Sequence, residues 1–128
     1  MGNVYSEALV ELTLDEMKNC VESGSYIIIQ REENQHFIDN YLITESKQRE
    51  ILLSIQKENY SVSEPSDKVP GSYVHIFGKK VCLPDSQGHY KALNLYIKFE
   101  IIDRPQVKRT VFISFHEELY PLTYPFQT

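Results

Sequence analysis

The chain has 128 residues, 41% hydrophobic and 24% charged, which are the proportions of one globular domain with a core of its own. No apolar run approaches the roughly 20 residues of a membrane span, and none has signal-peptide character, so a cytoplasmic protein is expected, neither secreted by that route nor embedded in a membrane. The net charge of −5 argues against a generic nucleic-acid binder.

That average hides a split. Residues 1–66 carry five Lys/Arg against twelve Asp/Glu, whereas residues 67–116 carry eight against four, together with His75, His89 and His116. Such asymmetry fits a basic working surface on an acidic scaffold, and equally fits chance clustering in a small protein. Cys20 and Cys82 have neither metal-ligand nor redox spacing and read as reduced thiols.

In chain order, Thr13-Leu-Asp-Glu16 reads as a capping box, with Leu14, Met17, Cys20 and Val21 at helical spacing behind it and Gly24 as the stop. Tyr26 to Gln30 is β-branched and aromatic and predicts a short strand. A second helix is expected over Glu33–Tyr41. A third is expected over Glu45–Lys57, capped by Thr44 and burying Ile51, Leu52 and Ile55. The Pro, Gly, Ser and Asp residues between Ser61 and Ser72 mark a loop.

Tyr73 to Leu83 predicts a strand with Val74 and Ile76 on one face and Tyr73, His75 and Phe77 on the other, and Gly78 offers a place for a bulge. Then come two alternating segments. In the first, Leu93, Leu95, Ile97, Phe99 and Ile101 share one face, and Asn94, Tyr96, Lys98 and Glu100 the other. In the second, Val111, Ile113 and Phe115 oppose Thr110, Ser114 and His116, with Phe112 among the latter. The prolines of Tyr120-Pro-Leu-Thr-Tyr-Pro-Phe126 fix an extended tail whose aromatics suit docking on the body. The fold expected is therefore α+β, a single domain. Its helical part covers about residues 1–60 and packs on a small antiparallel sheet over about 73–116, and an aromatic tail follows over 117–128.

A hairpin of the two alternating strands gathers Tyr96, Lys98, Ser114 and His116 on one polar face. One register puts Tyr96 opposite Ser114; the next puts Tyr96 opposite His116 and Lys98 opposite Ser114. These residue types suit metal-free RNA cleavage. An imidazole moves the proton of the 2′-hydroxyl or of the leaving oxygen, an ammonium meets the charge gathering on the phosphorane, and a phenol donates to phosphate. Tyr73, His75 and Phe77 on a neighbouring strand are then expected to stack on unpaired bases. Each residue also has a structural reading: a hydrogen-bonded histidine, a lysine blunting aggregation, a half-buried strand tyrosine. No phosphate-binding glycine loop, HExxH or GxSxG is present, and the histidines lack zinc-site spacing, so no cofactor or metal is expected.

Several of these segments carry a resemblance. Arg49-Glu-Ile-Leu-Leu-Ser-Ile, Asn59-Tyr60, Asp67, His75-Ile-Phe-Gly-Lys79, Tyr96-Ile-Lys98, Ile113-Ser-Phe-His116 and Tyr120–Phe126, with Arg31-Glu-Glu-Asn34 upstream, together resemble the small toxins of type II toxin–antitoxin systems, the MqsR-like branch in particular. The resemblance covers most of residues 26–126. It implies the RelE- and barnase-like ribonuclease fold, and cleavage of single-stranded mRNA either independently of the ribosome or associated with it. It also implies a cognate antitoxin as partner. It assigns catalysis to Tyr96, Lys98 and His116, the last standing where the best-known members carry a lysine. Ser61 follows Tyr60 where they carry another lysine, whose role would pass to Lys79 or Arg49. Lys79, Tyr60, His75, Tyr73 and Ser114 complete the expected substrate-binding set. The rival readings are a non-catalytic protein-binding module on the same fold and an RNA-binding regulator.

Overall fold

The computed structural model describes residues 2–127. Three helices cover one face of a five-stranded sheet. The first, α1 (Glu7–Glu22), begins nearly two turns before the capping box. Ser6 is its N-cap, accepting from the Leu9 N–H, and the Thr13 hydroxyl donates inside the helix to the Leu9 carbonyl. After the short strand β1 (Tyr26–Ile28) come α2 (Glu32–Asn40) and α3 (Glu45–Leu53), the latter capped by Thr44 as the sequence indicates. α3 ends at Leu53, short of the Lys57 expected, and a separate 3₁₀ turn follows at Lys57–Asn59.

Four longer strands follow: β2 (Tyr60–Pro65), β3 (Tyr73–Pro84), β4 (Tyr90–Arg104) and β5 (Val107–Glu117). The spatial order is β1-β5-β4-β3-β2, and β1 runs parallel to β5 while every other pair is antiparallel. The sheet is thus mixed rather than antiparallel. Asn3 is bridged to Ser63 of β2, so α1 carries the chain from the β2 edge of the sheet to the β5 edge, where β1 pairs. The molecule is α+β with its helices at the N-terminal end. Among the described residues no helix is long and apolar enough to cross a membrane.

The core lies between sheet and helices. Leu93, Leu95, Ile97 and Phe99 of β4 meet Val10, Leu14, Met17 and Val21 of α1, Phe37 of α2 and Leu52 of α3 in one buried cluster. β4 keeps the alternation its sequence predicts. In β5, Lys98 pairs with Ser114 but Phe99 pairs with Phe112, so Ile113 is an extra residue, a β-bulge. The bulge switches the parity of the strand. Thr110 and Phe112 face the helices on one side of it and Phe115 on the other, all fully buried, and Phe112 is thereby removed from the open face.

Asn34 holds the bulged segment. β1 stops opposite Phe112, and beyond it the edge of β5 would be bare. There the Asn34 carboxamide donates to the carbonyls of Ile29 (2.9 Å) and Ile113 (3.0 Å) and accepts from the Phe115 N–H (2.8 Å). Buried backbone groups need such partners, and this one side chain supplies three.

Candidate functional site

On the sheet face turned away from the helices, Tyr96 of β4 lies directly opposite His116 of β5, and Lys98 lies directly opposite Ser114. This is the second of the two registers open to the hairpin. The imidazole stacks on the Tyr96 ring, centroids 5.6 Å apart and planes at 20°. Lys98 follows Tyr96 by two positions on the same face, roughly 7 Å along the strand. No ion pair engages its ammonium among the described residues. Ser114 is buried beside it.

The tautomer of His116 is set by its neighbour. Nδ1 lies 2.7 Å from the Glu117 carbonyl oxygen, which can only accept, so Nδ1 carries the proton and Nε2 is left as the basic nitrogen. Tyr96 is poised differently. Burial first, and then the adjacent Tyr120 phenol, push its hydroxyl above the usual tyrosine value. At neutral pH it is a protonated donor.

The tail lies over the neighbouring part of this face. The Glu118 N–H donates to the Asn94 carbonyl at 2.9 Å, and the Tyr120 ring centroid is 6.3 Å from that of Tyr96. Tyr124 rests on Gly78, the residue opposite Tyr96 on β3, where an added Cβ would collide with its hydroxyl. Gly78 therefore serves close approach and sits in regular pairing; the bulges of the sheet are at Tyr60/Val62 and Lys98/Phe99. Phe126 continues past the sheet to stack on Tyr60 at 5.9 Å.

The other residues selected from the sequence lie elsewhere. His75 pairs with Phe99 and so shares the helix-covered face with Tyr73 and Phe77, which corrects the expectation that this trio could stack on bases beside Tyr96. His75 is buried, with Nδ1 2.8 Å from the Ser63 hydroxyl and the Tyr5 ring against it, and Tyr73 packs on the same Tyr5. Burial lowers the His75 imidazole to about 4, with Glu16 acting weakly the other way. Tyr60 is a core residue at 1% exposure, its hydroxyl bonded to Ser63 and to the Tyr5 N–H. The Lys79 ammonium donates to the Ser54 carbonyl at the end of α3, and the Arg49 guanidinium to the Val21 carbonyl at the end of α1. Both cations satisfy helix C-termini that have no basic residue in their own last turns. They are remote in role from the Tyr96 face.

Three features were not readable beforehand: Asn34 as the support of Ile113–Phe115, Tyr120 as the neighbour of Tyr96, and Glu100. Glu100 follows Lys98 on the same face, is buried, and accepts from the Ser66 hydroxyl at 3.0 Å, while its second oxygen has no partner among the described residues. With Lys80, Lys98 and Arg109 beside Glu64, Glu100 and Glu118, the face carries mixed charge rather than a basic field. Comparison with models of protein families, with curated proteins and with solved structures returned no match for this chain.

Proposed function

We propose that the chain is a metal-independent endoribonuclease of the RelE- and barnase-like kind, acting on single-stranded mRNA as the toxin of a type II toxin–antitoxin pair. The observation that carries this reading is the Tyr96–His116 stack, with Nδ1 of the imidazole occupied and Lys98 next along the strand. The resemblance of YIK, SFH and YPLTYPF to the MqsR-like toxins, which rests in part on the same residues, agrees with it.

In this mechanism His116 Nε2 takes the proton of a 2′-hydroxyl, and the freed oxygen attacks the adjacent phosphorus. Lys98 supplies positive charge to the phosphorane as negative charge gathers on it. The P–O5′ bond breaks as the Tyr96 hydroxyl protonates the departing oxygen. The raised value keeps the phenol protonated at neutral pH and so available as the acid, and solvent returns the protons afterwards. The products are a 2′,3′-cyclic phosphate and a 5′-hydroxyl end. A cognate antitoxin would hold the protein inactive.

The mixed charge of the face and the tail lying over its neighbouring part favour a second reading, a non-catalytic protein- or RNA-binding module. Induced expression separates the two. On the nuclease reading the parent arrests growth within hours, and His116→Ala and Lys98→Ala do not. Arrest by all three folded proteins alike removes the proposed site.

A further inference from the structure

Next to Tyr96 a cleft of about 270 Å³ opens between the tail and the sheet, with Gly78, Lys80 and Asn94 on the sheet side and Tyr124 and Gln127 on the tail side. It adjoins the Tyr96–His116 pair. Gly78 is the cross-strand partner of Tyr96, and Asn94 precedes Tyr96 by two positions on the same face, a separation of roughly 7 Å.

The lining selects a chemistry. Lys80 and Glu118 bring opposite charges to the walls, so the cleft offers no net field to a phosphate. What remains, beside the apolar Pro121 and Leu122, is the carboxamides of Asn94 and Gln127, each with donors and an acceptor, the amide nitrogen of Asn59, whose oxygen accepts from the Gln56 N–H, and the Tyr124 ring. A neutral, planar ligand with hydrogen-bonding edges matches that set. The volume lies just below the range of about 300–1,000 Å³ that accommodates drug-sized molecules, which suits a single ring system.

We propose that this cleft is a nucleobase subsite, holding the base of a nucleotide that flanks the phosphate at Tyr96 and His116. The inference rests on the nuclease reading of the adjoining residues and adds the source of sequence preference. The carboxamides address the edge of an unpaired base, and Tyr124 offers its π-face a contact. Gly78 lets the tail lie close enough to form the outer wall.

The test uses the ¹⁵N-labelled full chain carrying His116→Ala, so that binding is read without turnover. The four ribonucleoside 5′-monophosphates and ribose 5-phosphate are titrated separately. At least one nucleotide is expected to shift the Gly78, Asn94 and Gln127 amides, while ribose 5-phosphate leaves them in place. Asn94→Ala should weaken the binding by about tenfold. No shift with any nucleotide, or equal affinity in the Asn94→Ala variant, overturns the subsite. Cleavage of a random-sequence RNA pool supplies the second arm, in which Asn94→Ala on the otherwise unaltered chain should still cut but with relaxed base preference. Cleavage with preference unchanged overturns the subsite and leaves the nuclease standing. Nucleotide binding by a chain that cuts no RNA supports the subsite and removes the nuclease.

Discussion

His116 and Tyr96 lie face to face across β4 and β5, and the Glu117 carbonyl fixes which nitrogen of the imidazole is basic. A ring nitrogen free to accept a proton and a phenol able to donate one are thus held side by side on the half-buried outer face of the sheet. Lys98 completes the set without being committed to an ion pair among the described residues. Lys98→Gln should lower RNA cleavage by about 10²–10³-fold and leave the thermal midpoint nearly unchanged, read by a cleavage assay beside thermal unfolding. A large fall in stability with unchanged cleavage would assign Lys98 a structural role.

Asn34 should matter out of proportion to its size. Asn34→Ala removes hydrogen bonds from the backbone of Ile29, Ile113 and Phe115, of which the Phe115 N–H is fully buried, a loss of about 2–4 kcal/mol. Asn34→Asp should be at least as harmful, because a carboxylate oxygen would replace the amide donor facing two carbonyls. Urea unfolding measures both. Amide exchange at Phe115 should quicken in each variant.

Gly78→Ala puts a methyl group where the Tyr124 ring end lies. The expected result is a displaced tail, seen as faster chymotryptic cleavage after Phe126, because the prolines that follow Tyr120 and Tyr124 block cleavage there. The Tyr96 hydroxyl should titrate nearer the ordinary tyrosine value as its burial is relieved. An unaltered digestion pattern would mean that Tyr124 yields without moving the backbone.

His75 makes stability depend on pH. Its folded value of about 4 lies below the unfolded value of about 6.5, so the unfolded chain takes up the proton first as pH falls. The stabilisation is complete above about pH 6.5, declines as pH drops towards 4 and is gone below that, for a total of about 3 kcal/mol. Urea midpoints at pH 7 and pH 4.5 should therefore differ more in the parent than in His75→Gln. Equal differences would show that carboxylates alone set the acid limb.

Much of this arrangement was legible in the sequence, and the failures have particular causes. The alternation of Leu93–Ile101 gave the inward face of β4 because its two residue sets differ sharply in polarity. In β3 both sets contain apolar residues and both faces are buried from Val74 to Gly78, so a period of two could not say which side His75 takes. The bulge at Ile113 was hidden because Val111-Phe-Ile-Ser-Phe115 tolerates either parity, and its cause, Asn34, lies on a distant helix. β2 read as loop because Ser61, Ser63, Glu64 and Pro65 have weak strand propensity; pairing with β3 overrides that. The prolines and aromatics of the tail signalled docking, while the place of docking depended on Gly78.

The most direct measurement is end-group analysis of a single-stranded RNA incubated with the purified chain in excess EDTA, beside the His116→Ala variant. The parent is expected to leave 2′,3′-cyclic phosphate and 5′-hydroxyl ends, formed about 10²–10⁴-fold more slowly by the variant. RNA left intact by the parent, or cut equally fast by the folded variant, would contradict the nuclease reading.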